Sequence, residues 1–128
     1  MTELAGHMIH ERYRFDIHLG EGTFSKVYRV HDMRRNVDLA AKVLKADVAD
    51  NPEFLERFRR EGQVLSRLQH PHIVRYYDLI ETDEIVFILM DYIPGQTLQS
   101  YFHHLGRPMT VDEVFNYLKP LTAALHYA

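Results

Sequence analysis

The sequence predicts an α+β fold: a five-stranded antiparallel sheet carrying one long helix, then a short linker and two further helices. Three observations carry this reading. Tyr13, Phe15, Ile17 and Leu19 alternate with Arg14, Asp16, His18 and Gly20, the period of a half-buried strand. Asn51-Pro52 reads as an N-cap with proline at the first helical position, opening the one long amphipathic stretch of the first half. Ile85 to Met90 is apolar at every position, as in a strand covered on both faces.

Taken in order, residues 1–12 are polar and mixed and read as a short leader. The first strand ends in Gly20-Glu21-Gly22, and Val27 to His31 forms a second strand, so the pair is a hairpin. After the polar turn Met33 to Asn36, a third strand runs from Val37 to Leu44. It has Val37, Leu39, Ala41 and Val43 on one face and Ala40, Lys42 and Leu44 on the other. The long helix covers about 52–68, with Phe54, Phe58, Leu65 and Leu68 on one face and Glu61 interrupting it. Pro71 closes that helix. Ile73 to Ile80 is a fourth strand, and the polar turn Glu81 to Glu84 leads into the apolar fifth. Pro94-Gly95 breaks the pattern and marks a linker. Thr97 to Leu105 is a short helix. Thr110 with Glu113 is a capping box that starts the last one.

Composition narrows the function. The chain has 128 residues, 46% of them hydrophobic, which is enough for a packed core. A formal charge of -3 gives no electrostatic reason to expect nucleic acid or an anionic membrane as partner. There is no cysteine, so disulfides and thiolate–metal chemistry are excluded. No signal layout and no apolar run of transmembrane length is present, and a cytoplasmic protein is the expectation. His70, His72, His103 and His104 have no carboxylate at ligand spacing on a shared element, so no metal site is expected.

Two features carry chemistry. Two close glycines permit positive φ and leave no Cβ in the way, so backbone amides can lie against a phosphate chain. A strand follows this turn. A dinucleotide-binding loop needs a helix there, and a Walker loop needs Gly-Lys-Ser/Thr, so both are excluded. Lys42 lies among apolar strand positions, and Glu61 interrupts an apolar helix face. Charges set against a core are costly unless paired, so the two are expected to form a buried pair with each other. Arg57, Arg59 and Arg60 form a basic turn, read either as a solvated face or as a docking surface for a regulator or a phosphate group.

These residues resemble the N-terminal lobe of a protein kinase, of the eukaryotic-like (Hanks-type) serine/threonine class that includes bacterial members. The family's Gly-x-Gly-x-x-Gly-x-Val loop is similar to residues 20–27, with Ser25 standing in place of the third glycine. Leu39-Ala40-Ala41-Lys42 resembles its Val-Ala-Ile-Lys strand, and Glu61 its helix C glutamate. His70 to Val74 and Met90 to Gly95 resemble the loop into strand four and the hinge. The resemblance covers residues 13–128. It implies an N-lobe over 13–90, a hinge over 91–95, and the start of a C-lobe with helices D and E over 96–128.

It also implies roles. ATP is the expected cofactor, with Mg whose ligands would lie beyond Ala128. Gly20, Glu21, Gly22, Thr23, Phe24 and Ser25 form the loop, whose amides from Gly22 to Ser25 cover the β- and γ-phosphates with Phe24 at the tip. Lys42 contacts the α- and β-phosphates and is held by Glu61; these two are the catalytic residues expected in the chain. Leu19, Val27 and Ala40 roof the adenine, Met90 guards the pocket behind it, and backbone groups of Asp91 and Ile93 bond its edge. Leu98 supports its lower face, while Leu65 and Tyr76 join helix C to the sheet. Ser25 adds a Cβ that restricts φ and stiffens the loop. The parent protein is expected to phosphorylate protein serine or threonine; a non-catalytic kinase-like interaction module is the alternative. These 128 residues contain no Asp-Phe-Gly motif and no catalytic loop, so by themselves they are expected to be inactive. Without a larger lobe to cover it, the last helix's stripe is expected to drive self-association, helix exchange or packing on the chain's own sheet.

Overall fold

The computed structural model describes residues 3–128. They form two compact units: one holds the residues up to Gln69 together with Val74–Tyr92, and the other holds His70–Ile73 with Ile93–Ala128.

The first unit is a sheet of six antiparallel strands and not five. The strands are β1 (Met8–Ile9), β2 (Tyr13–Glu21), β3 (Ser25–Asp32), β4 (Val37–Leu44), β5 (Tyr76–Glu81) and β6 (Val86–Asp91), in spatial order β1-β2-β3-β4-β6-β5. The extra strand comes from the segment read as a leader. At two residues β1 is too short to show a period. Its turn to β2 uses His10 and Glu11, both at positive φ (55° and 53°), where Asn-Gly would be the usual signal. Leu4 is buried in the core, Phe15 N–H donates to His7 O at 2.9 Å, and Tyr28 Oη donates to Glu3 at 3.0 Å. Residues 3–12 are therefore part of the lobe; residues 1 and 2 of the expected leader lie outside the described residues.

The sheet buries both faces. One face carries Tyr13, Phe15, Tyr28, Val30, Leu39, Ala41, Val43, Phe87 and Leu89 in one cluster with Leu4 and Ile85. In a flat sheet β2 and β6, with two strands between them, would lie roughly 14 Å apart. Yet the rings of Phe15 and Phe87 are 5.3 Å apart and nearly perpendicular, so the sheet curls around this cluster. The opposite face carries Leu44, Val86, Ile88 and Met90, and is covered in part by α2 (Pro52–Ser66) through Leu55 and Phe58, with α1 (Ala46–Ala49) beside it. The continuous apolar run of β6 is explained by its place between β4 and β5, since alternate residues enter the two clusters.

Two expectations change here. The alternation of β2 does not bury Ile17 and Leu19, which are exposed. Register shifts between Phe15 and Ile17 and between His18 and Gly20 break the period, so Ile17 pairs with Arg29 while Phe15 pairs with Val30. The buried face of α2 is also rotated from the predicted stripe. Phe58 and Gly62 are buried, whereas Phe54, Leu65 and Leu68 are only half-buried. Asn51 caps this helix, accepting from Glu53 N–H at 3.0 Å.

In the second unit, α3 (Leu98–Leu105) is capped by Thr97 and ends at Gly106, which takes the left-handed conformation (φ 68°). Helix α4 (Val111–Tyr127) starts with the Thr110–Glu113 capping box. The Arg107 guanidinium and the Thr110 amide hold the Glu113 carboxyl down at about 2. Of α4, only Ala124 is buried; Phe115, Leu118, Leu121 and Leu125 are exposed.

Candidate nucleotide-binding site

The candidate site is the part of the second sheet face that α2 leaves uncovered. Cross-strand register places Val27 beside Lys42 and Lys42 beside Ile88, and then Ala40 beside Met90 and Met90 beside Tyr76. Paired residues on neighbouring strands point to the same side, so Val27, Ala40, Lys42 and Met90 share one surface. Ala40 is buried, Val27 and Met90 are half-buried, and Leu19 is exposed at the end of β2.

Lys42 Nζ meets Glu61 Oε1 at 2.6 Å, across the contact between β4 and α2. The pair is made, but it is not buried: the side chains are 29% and 42% exposed. The expectation of a buried pair is corrected accordingly. The strand positions around Lys42 are apolar, but its ammonium reaches past them to the open edge of the face. A pair this exposed contributes at most about 1 kcal/mol to stability. The Lys42 ammonium stays accessible at the open edge of the face.

The loop between β2 and β3 is closed by Gly22 N–H donating to Ser25 O at 2.8 Å, and Phe24 O accepts from Lys45 N–H at 3.0 Å. Neither Gly20 nor Gly22 has positive φ; the glycines that do are Gly6, Gly95 and Gly106. The torsional reason for the two glycines is therefore corrected. Their use is bareness: a Cβ on Gly20 would meet nothing within 4 Å, and one on Gly22 only Ser25 at 3.8 Å. Ser25 has no positive φ either, so the serine in place of the third glycine fits without strain. Glu21 pairs with Lys45 at 3.1 Å and with Lys26 at 3.9 Å, and the Lys45 hydrogen bond lowers its carboxyl. Thr23 lies at the exposed tip, and Phe24 stacks on Phe54 of α2 with ring centroids 5.0 Å apart.

At the end of β6, Asp91 N–H donates to Arg75 O at 2.9 Å. Its side chain accepts from Tyr77 Oη at 2.5 Å and from Arg75 N–H at 3.2 Å, tying β5 to β6, and this bond raises the Tyr77 phenol. Ile93 and Leu98 belong to the second unit, where both are exposed. Tyr76 packs in the cluster under α2; Leu65 is half-buried and not in that cluster, lying beside Glu61, Val64, Arg57 and Arg60.

Two residues of the site region escaped the sequence reading. Gly62 is buried where α2 meets the sheet, and a Cβ there would lie 3.6 Å from Tyr76 and 3.7 Å from Ile88. A glycine inside a helical pattern was its available signal. Phe54, assigned to the buried stripe, faces the loop tip instead.

Residues 13–128 match the protein kinase domain family, and the chain belongs to it. It is 38% identical over 125 residues to the serine/threonine-protein kinase PrkC of Bacillus subtilis, covering 98% of this chain and 19% of that protein. It is 38% identical over 122 residues to the serine/threonine-protein kinase PknB of Mycobacterium tuberculosis, covering 92% of this chain and 19% of that protein. The solved PknI kinase domain of Mycobacterium tuberculosis superposes with a TM-score of 0.77 at 32% identity, over 98% of this chain and 51% of that one. The chain thus spans about a fifth of the length of these curated relatives. No helix among the described residues is long and apolar enough to cross a membrane.

Proposed function

We propose that this chain binds ATP on the Val27–Ala40–Lys42–Met90 face, as part of a cytoplasmic protein that transfers phosphoryl groups to protein serine or threonine. The observation that carries the reading is the 2.6 Å Lys42–Glu61 contact beside a bare Gly-rich loop. An exposed pair with little to contribute to the fold still fixes an ammonium where the α- and β-phosphates would lie. Gly22 N–H is engaged within the loop, so the Thr23 and Phe24 amides are the donors left to face the phosphates. Ala40 and Val27 supply the apolar cover, with Met90 behind them and the Asp91 carbonyl at the edge.

ATP fits the residues present. For magnesium, the described residues hold no cluster of three or more His, Asp, Glu or Cys, and no chemistry of the metal is assigned to them. The ion-pair geometry favours the enzyme reading over a non-catalytic module, because a scaffold has no use for an oriented, accessible ammonium.

Calorimetric titration of a non-hydrolysable ATP analogue tests the reading. Lys42→Met is expected to weaken binding at least about tenfold, the loss of a charge-assisted hydrogen bond to phosphate. Equal affinity in both proteins would remove Lys42 from this role. Self-association through the exposed Phe115, Leu118, Leu121 and Leu125 is a further part of the proposal. Sedimentation equilibrium should show species heavier than the monomer, and a monomer at all concentrations would contradict it.

A further inference from the structure

Helix α2 touches the Gly-rich loop at a point that its buried face does not explain. Leu55, Phe58 and Gly62 seat the helix on the sheet. Phe54 lies off that face, in the first turn, and its ring stacks on Phe24 at 5.0 Å with 30° between planes. The Arg57 guanidinium, one turn on, sits 5.7 Å from the same ring. Glu61 follows Phe54 by seven residues, two helical turns, and so projects from the same side. One side of one helix therefore holds the loop tip at its start and Lys42 further along. The other end of the tip is tied as well, since Phe24 O accepts from Lys45 N–H and Lys45 Nζ donates to Glu21.

We infer that Phe54 is a positioning residue for the nucleotide phosphates: its stack with Phe24 sets the Gly-rich loop in the same frame as the Lys42–Glu61 pair. This deepens the ATP-binding proposal and rests on it. Phe24 is 50% exposed, and an aromatic at the tip of a glycine loop has little else to hold it in one place. Where the stack is intact, the loop amides and the Lys42 ammonium keep a constant separation. Where it is lost, the ion pair remains and the loop wanders. The contact should therefore matter for the phosphates and not for the adenine.

The test uses the full 128-residue chain, with adenosine and a non-hydrolysable ATP analogue as probes and amide hydrogen exchange without ligand. Phe54→Ala should weaken the ATP analogue about three- to tenfold, the equilibrium worth of an aromatic pair, while adenosine changes less than about twofold. Phe54→Tyr should restore binding. In a Phe24→Ala background the Phe54→Ala change should add little, because the two rings act as one contact. The Gly22 and Lys45 amides should exchange faster in Phe54→Ala. Equal losses for adenosine and the ATP analogue, or additive effects of the two substitutions, would overturn the inference. If the wild-type chain binds neither probe, the ATP reading itself has failed, and exchange then decides: faster exchange upholds the coupling of loop to helix, and unchanged exchange refutes it.

Discussion

The first unit contains two ion pairs of similar length in different surroundings. Arg12 and Asp32 meet through two hydrogen bonds of 2.8 Å, and Asp32 is only 1% exposed. Asp32 also accepts from the amides of Arg34 and Arg35, so one carboxylate ties the entry to β2, the end of β3 and the turn that follows. Lys42 and Glu61 meet at 2.6 Å but remain partly open to solvent. Distance alone does not separate the two; burial and the number of satisfied partners do. In the first pair the Asp32 carboxylate is closed off from any ligand by burial and four hydrogen bonds. The second leaves two of the lysine's donor positions to be filled.

Perturbing the two pairs should give opposite profiles. The largest effect expected is on stability, from Asp32→Ala. It leaves two backbone amides and most of a guanidinium without their acceptor, and should cost about 3 kcal/mol in urea unfolding. Loss below about 1 kcal/mol would show that the corner rearranges freely.

The same carboxylate should govern the acid limb of stability. The Arg12 hydrogen bond, aided by the Arg34 and Arg35 amides, holds its folded value near about 2, against an ordinary 3.8. A lowered folded value means the contribution is complete above pH 4 and fades as pH falls toward 2, and a displacement of that size is worth about 2 kcal/mol. In Asp32→Asn the contribution should already be missing at neutral pH, so its stability should fall less steeply between pH 4 and 2. An unchanged acid slope would remove Asp32 as the cause.

The smallest effect sharpens the comparison by loosening neither pair. A Cβ on Gly62 would make ordinary contacts with Tyr76 and Ile88. Gly62→Ala should therefore stabilise α2 by about 0.5 to 1 kcal/mol through helix propensity. A destabilised Gly62→Ala would mean that α2 sits closer to the sheet than these distances show.

Much of the candidate site was legible in the sequence, because strand and helix periods constrain which side a residue takes. Lys42 and Glu61 each stood out as a charge in an apolar pattern, and pairing them needed no coordinates. What was hidden depended on irregularity or on distant partners. The bulges that expose Ile17 and Leu19 leave no mark on an alternating string. The two-residue β1 has no period to read. Asp32 looked like one more polar residue before a turn, since its partner Arg12 sits 20 positions earlier, in a stretch read as leader. The rotation of α2 was hidden because Gly62, without a side chain, does not register as apolar although it is buried. Phe54 was counted as core for the same reason.

If the Lys42–Glu61 pair serves the ligand and not the fold, removing its charge should move affinity and leave stability alone. Glu61→Gln keeps the shape and removes the charge, so ATP-analogue affinity and urea stability measured on the same variant decide it. Affinity about tenfold weaker is expected, with stability within about 1 kcal/mol of wild type. Unchanged affinity with a loss of stability like that of Asp32→Ala would contradict it.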